Sequence, residues 1–380
     1  MADKSPIEWT DATWNPIVGC TILSPGCIHC YAMKMAARIE AMGGAKHYTG
    51  TTKKVNGNAV WTGKLALAPE RILTEPLRWR RPRRIFVNSM GDLFHEDVPD
   101  EWIDRVFAVM AMAPQHTFQV LTKRAKRMRA YLGDDHEDTD LFERIADCGG
   151  RMMEDGDNWH DYLLNINWPL PNIWLGVSAE RQQEADQRIP ELLATPAAIR
   201  FVSAEPLLGP IDFTELRTTP REGVVRIHRP LQGYWGDARD IGNRRYLNLP
   251  PDERLTGRTG VVDWIIVGGE SGPNARPMHP AWPRAIRDQC QTAGVPFFFK
   301  QWGAWGLEEP VVGGHEMHAL ADDGTLYRST DLAYPDGKRR GEAIRANHDQ
   351  GHLHSVYRVG KKTAGRLLDG VEHNAMPEAR

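Results

Sequence analysis

The chain has 380 residues, 41% hydrophobic and 26% charged, with a net charge of −3. That balance belongs to a globular protein of one large domain or two ordinary ones, and it excludes a disordered chain or a polycation. No apolar run approaches the roughly eighteen residues of a membrane span, and Met1-Ala-Asp-Lys-Ser-Pro lacks the apolar stretch of a secretion signal.

Residues 8–19 read as a short first strand that leads into Cys20-Thr-Ile-Leu-Ser-Pro-Gly-Cys27-Ile-His-Cys30-Tyr31. From Tyr31 to Met42 apolar residues recur at helical spacing, and Gly43-Gly44 ends the helix. Residues 45–70 are mixed and Gly-rich and read as a loop. A cadence of short apolar runs ending in polar clusters follows. Residues 84–88 run into Ser89-Met-Gly-Asp92, with an amphipathic helix from Pro99 to Ala113. Residues 118–121 run into Thr122-Lys-Arg124, with a helix to Leu132. Residues 173–177 run into Ser178-Ala-Glu180, with a helix to Ala194. Residues 199–202 run into Ser203-Ala-Glu205-Pro206. Residues 264–267 run into Gly268-Gly-Glu270-Ser271, with a helix over 280–293, and residues 296–299 run into Lys300-Gln-Trp302.

Apolar strands without polar alternation, interleaved with helices, predict an α/β fold with a parallel sheet buried on both faces. A doubly wound open sheet and a (β/α) barrel both fit. A TIM-like barrel, partial or near-complete, is favoured, because nearly every strand ends in charged or hydroxyl groups that a barrel gathers at one mouth. The barrel is expected over residues 1–305, with rim insertions at about 133–168 and 212–262. The first insertion opens on the acidic run Asp134–Asp140. Residues 306–380 read as a C-terminal extension with a hairpin over Met317–Tyr334 and a basic, Gly-rich tail. Thirteen tryptophans, many beside Gly or Pro, suit an aromatic-lined cleft or ordinary core packing.

Cys20, Cys27 and Cys30 are three of only five cysteines, and the Pro25-Gly26 turn can bring them together. The expected compartment is the cytoplasm, where thiols stay reduced, which favours a metal over disulfides. Zinc sites pair two C-x-x-C units, or one with a His pair, and neither pattern is here. Three thiolates on a four-iron (4Fe-4S) cluster, with one iron left open, is the favoured reading. Structural zinc, or no metal, is the alternative. Cys148 and Cys290 lie far off without local partners.

A three-cysteine loop after a first strand, with an aromatic residue directly after the last cysteine and a parallel barrel behind, resembles the radical S-adenosylmethionine (SAM) superfamily. More closely, the chain resembles phage-associated three-Cys-motif proteins of unknown function. That likeness rests on residues 7–16, the Cys loop, Asn88-Ser-Met-Gly-Asp-Leu-Phe-His95, Ser203-Ala-Glu-Pro-Leu-Leu-Gly209, Val267-Gly-Gly-Glu-Ser-Gly272, Lys300-Gln-Trp-Gly303 and the tail over 360–370. The first gap is longer here, C-x6-C-x2-C against the usual C-x3-C-x2-C. The resemblance implies an enzyme that cleaves SAM with one electron from the cluster to a radical that takes hydrogen from substrate. It implies SAM contacts from Asn88, Ser89 and Asp92, with Asp92 accepting the amino group, and from Ser178, Glu180 and Ser203. Tyr31 would shield the cluster. Lys123, Glu205, Glu270 and Lys300 are the implied catalytic or substrate-contacting groups. The plainer alternative for each is a helix cap or a solvent-facing charge.

Arg78–Arg84 and Lys123–Arg129 each hold five basic residues in seven. They suit a nucleic acid or nucleotide substrate, with a solvated helix face as the alternative. A reductant protein supplying one electron is the other expected partner. Two further functions fit: a non-catalytic, metal-stabilised nucleic-acid-binding protein, and an iron–sulfur protein of electron transfer or sensing that makes no use of SAM.

Overall fold

The computed structural model describes residue 5 and residues 7–133, 139–218, 225–237, 257–310, 315–328 and 352–378. Seven strands form one parallel sheet: β1 (Ala12–Trp14), β2 (Arg84–Val87), β3 (Thr117–Thr122), β4 (Ile173–Ser178), β5 (Ile199–Ala204), β6 (Trp264–Gly268) and β7 (Phe297–Gln301). They lie side by side in chain order, with β1 and β7 at the edges. An order that never reverses has no switch point, so the sheet is not doubly wound. It curls as a half-barrel. The helices are α1 (Tyr31–Ala41), α2 (Asp100–Ala111), α3 (Ala125–Leu132), α4 (Thr139–Met152), α5 (Gly156–Leu164), α6 (Gln182–Ala194) and α7 (Ala281–Ala293).

Side chains alternate between two cores, and both are apolar. Ile85, Val87, Phe118, Val120, Leu175 and Val177 join the main core with the helices. Phe86, Trp174, Phe201, Trp264, Ile266 and Phe298 form a separate core on the other face, together with Trp9. Each strand is therefore apolar on both sides, which is why it reads as an unbroken run. The C-terminal segment reaches this second face: Phe299 N–H donates to the His373 carbonyl at 3.0 Å, and the Trp264 indole donates to the Ala375 carbonyl at 2.9 Å.

Two expectations change, and the two insertions acquire a form. The first strand is confined to Ala12–Trp14, because Ile17–Val18 pairs instead with Ala66–Leu67. The supposed loop over 45–70 contains a hairpin, Thr52–Val55 with Asn58–Trp61. Its turn, Asn56-Gly57, has φ of 48° and 78°, the left-handed pair that a two-residue hairpin requires. The insertion after α3 is helical, formed by α4 and α5. The insertion between β5 and β6 is an antiparallel ladder of Leu216–Thr218, Arg226–Arg229, Tyr234–Asp237 and Gly257–Arg258. The expected C-terminal hairpin is present as Met317–Ala321 with Leu326–Arg328, and its far end at Tyr334 lies outside the described residues, as does most of the acidic run. Among the described residues no helix is long and apolar enough to cross a membrane.

Candidate functional site

Parallel strands deliver their C-terminal ends to one edge of the sheet, and the Cys loop folds over that edge. Together they enclose a cavity of about 410 Å³. Cys20, Cys27 and Cys30 line it. So do Asn88, Ser89 and Asp92 after β2, Lys123 after β3, Ser178 of β4, Ser203 and Glu205 at β5, Glu270 after β6 and Lys300 of β7. Tyr31 stands at the rim, 55% exposed, with its hydroxyl donating to the Ser89 carbonyl at 3.1 Å. Of the residues expected in the site, only Glu180 is withdrawn from the cavity wall.

Glu180 is fully buried and holds the Cys loop in place. Its carboxylate accepts from the Ser24 hydroxyl, from Lys123 Nζ at 2.7 Å and from Arg188 Nη1 at 2.8 Å. Burial alone would raise its pKa, but the two cations outweigh burial and hold it at about 2. Gly26 lies against it, and a Cβ there would sit 2.3 Å from Glu180 Oε1, so the loop passes this point only as glycine. The SAM contact expected of Glu180 is therefore corrected to a structural clamp.

A second clamp comes from β6. Glu270 grips Arg276 through both oxygens, at 2.5 and 2.8 Å, and Arg276 Nη2 donates to the Pro25 carbonyl at 2.9 Å. The two glycines before Glu270 serve packing: a Cβ on Gly269 would lie 2.0 Å from the Trp302 carbonyl oxygen.

Arg124 makes the third clamp. Its Nη2 donates to Thr21 Oγ1 at 2.7 Å, and its Nη1 lies 3.7 Å from Cys20 Sγ and 3.1 Å from Asp92. Asp92 also accepts from Thr122 Oγ1 at 2.7 Å and from the backbone N–H groups of Phe94 and Lys123, each at 3.1 Å. Four donors fill the acceptor capacity of one carboxylate. Asp92 thus orients Arg124 and has no acceptor site to offer an ammonium.

Two of the thiols, Cys20 and Cys30, are held neutral. Burial pushes Cys20 up to about 12, with Asp92 adding and Arg124 opposing. Burial likewise raises Cys30, against a lowering field from Lys123. Among the described residues no three His, Cys, Asp or Glu side chains converge closely enough to hold a single metal ion. Across the cavity lining, Lys300 Nζ donates to Glu205 Oε1 at 2.7 Å, and both residues are mostly buried. Ser178 and Ser203 present hydroxyls nearby.

Sequence reasoning missed Arg188 and Arg276, whose roles depend on partners from other strands. Arg124 was visible in the polar end of β3. The basic run that contains it is largely occupied within the protein: Lys123, Arg124, Arg127 and Arg129 all pair with carboxylates. In the other run, Arg84 pairs with Asp11, and Arg83 lies over the Trp79 ring at 4.8 Å.

No curated protein and no solved structure matches the chain. One family profile matches residues 4–377, nearly the whole length. The chain that builds this cavity therefore belongs to the family described as "Protein of unknown function (DUF5131)".

Proposed function

We propose that this protein is an iron–sulfur enzyme of the radical SAM kind, built on a partial TIM-like barrel. Cys20, Cys27 and Cys30 would hold a four-iron cluster, with SAM beside it. The observation that carries the reading is the meeting of three thiols and the polar ends of six parallel strands around one cavity. The donor set fits the group. In a four-iron cluster each thiolate caps a different iron, so the sulfurs need not crowd together as they do around one ion. Lys123 and Arg124 stand where the thiolate charge would collect.

When bound, the cluster supplies one low-potential electron for cleavage of SAM. The chain's own residues do the rest. Cys20, Cys27 and Cys30 would have to give up their thiol protons to hold iron, so loading would be favoured as pH rises. The three clamps fix the Cys loop before any ligand arrives. Trp9, Phe86 and Leu121 form an apolar floor that excludes water. With Asp92 saturated, Glu205 is the carboxylate left to accept an ammonium or a substrate proton. Among the described residues its only side-chain partner is Lys300. Four cations, Lys123, Arg124, Lys300 and Lys361, line the cavity against three carboxylates, Asp92, Glu205 and Glu270. Each cation is paired within the protein, and the slight cationic excess supports an anionic substrate such as a nucleotide or nucleic acid.

The test is anaerobic purification and reconstitution, followed by iron and sulfide analysis and EPR of the dithionite-reduced protein with and without SAM. About four irons per chain and a spectrum altered by SAM are the expected results. Stoichiometric zinc without sulfide would overturn the reading and leave a metal-stabilised binding protein.

A further inference from the structure

Thr21 stands on the cavity wall with a hydroxyl proton that has nowhere to go inside the protein. The argument starts at His95, which is buried and whose Nδ1 accepts the Asp97 N–H at 3.2 Å. Burial and the Arg124 charge hold the ring neutral. A neutral imidazole carries one ring proton, which must then sit on Nε2. The 2.9 Å contact between His95 Nε2 and Thr21 Oγ1 is therefore a donation from the histidine. Arg124 Nη2 donates to the same oxygen at 2.7 Å. A hydroxyl has two lone pairs and one proton. Both lone pairs of Thr21 are filled, and among the described residues no acceptor takes its proton. The hydroxyls around it are already committed: Ser24 to Glu180, Tyr31 to the Ser89 carbonyl, Ser89 to Asn15 Oδ1 and Thr122 to Asp92.

The neighbour of that hydroxyl is the Cys20 sulfur. Arg124 spreads its two terminal nitrogens over both groups, Nη2 on Thr21 Oγ1 and Nη1 at 3.7 Å from Cys20 Sγ. Two groups served by one planar guanidinium lie side by side. As a thiol, Cys20 gives its own proton to the Thr21 carbonyl, with Sγ and oxygen 3.4 Å apart. A sulfur that holds iron has lost that proton and can only accept. The donors beside it are then Arg124 Nη1 and the Thr21 hydroxyl. Cys27 is served differently, since the Ser24 oxygen 3.8 Å from its sulfur has its proton on Glu180.

We infer that Thr21 donates its hydroxyl proton to the Cys20 sulfur when that sulfur holds iron, and so raises the reduction potential of the cluster. The inference rests on the cluster reading above. His95 and Arg124 are the positioning residues: by filling both lone pairs they leave the hydroxyl only the role of donor. A donor to a ligand sulfur draws off electron density and favours the reduced, more negative cluster. The proton stays on Thr21 throughout, and no covalent bond forms or breaks.

The test loads the full chain anaerobically with iron and sulfide and compares the parent with Thr21→Val and Thr21→Ser. Reduction is followed by EPR against redox mediators. Thr21→Val keeps the shape of the side chain and loses the proton. It is expected to shift the one-electron equilibrium roughly tenfold toward the oxidised cluster, a fall of about 59 mV. Thr21→Ser keeps the hydroxyl and is expected to match the parent, a rescue that a purely structural role would not give. Electron–nuclear double resonance of the reduced parent is expected to show an exchangeable proton that is lost in deuterium oxide and in Thr21→Val. Thr21→Ala, which also lacks the hydroxyl, replaces Thr21→Val if that variant does not load. An unchanged potential in the loaded, hydroxyl-free variant overturns the inference, and weaker SAM binding by the same variant then assigns the hydroxyl to the ligand in the cavity. A parent that takes up no iron and sulfide fails in the metal analysis, before any potential is measured, and overturns the cluster reading together with this inference.

Discussion

Glu180 draws three parts of the chain to one buried carboxylate: Ser24 in the Cys loop, Lys123 after β3 and Arg188 in α6. Its folded pKa, about 2, lies below the ordinary 4.5. A depressed carboxylate stabilises the fold above the unfolded value and loses that contribution as pH falls. The Glu180→Ala variant leaves the buried Arg188 and the partly buried Lys123 without their carboxylate and is expected to cost about 3 kcal/mol at neutral pH. Urea denaturation followed against pH checks this. The gap between parent and variant narrows as pH drops from 4.5 toward 2, the window between the two pKa values. The sequence placed Glu180 correctly at the end of a strand but not its duty. A carboxylate after a strand can cap, bind or clamp, and only the arrival of Lys123 and Arg188 decides. The cysteines were legible because their spacing is local. Asp92 was legible as part of the site for the same reason, but its saturation by four donors was not.

At the scale of elements, the strands and most helices were readable because each strand is apolar on both faces and each helix has its own period. The hairpin over 52–61 was missed because its first strand is largely polar and exposed and its second is only four residues long. Asn56-Gly57 was its signal, a dipeptide that tolerates positive φ at both positions. The C-terminal segment had no signal at all, since its role is to pair with an edge built elsewhere. It bonds to Phe299 and Trp264, and Met376 packs on the second core. Removal of residues 371–380 uncovers the edge strand β7 and part of that core. The truncated chain is expected to melt about 5 °C or more below the parent and to bind a hydrophobic dye, as measured by circular dichroism and fluorescence.

At the scale of the molecule, the Cys loop is tied to three separate regions, through Arg124, Glu180 and Arg276. A ligand held by that loop acts on all of them. Loading with iron and sulfide is therefore expected to raise the melting temperature of the whole chain in one transition, and chelation to reverse it. A rise confined to a minor early transition, read by calorimetry, would show the loop to be energetically separate. The sequence conveyed the parallel order of the sheet, because a monotonic chain of strand–helix units leaves few other arrangements. It did not convey how far the barrel closes, which depends on curvature and on the edges.

The clamps also set a timetable. The cysteines leave the ribosome early, yet Ser24 waits for Glu180, 156 residues later, and Pro25 waits for Arg276, 251 residues later. At roughly 5–20 residues per second, these delays are on the order of ten to fifty seconds. For that interval the nascent loop is a loose strand of free thiols, open to oxidation. If the cluster proposed above is bound, its insertion would belong after translation, when the last anchor has closed.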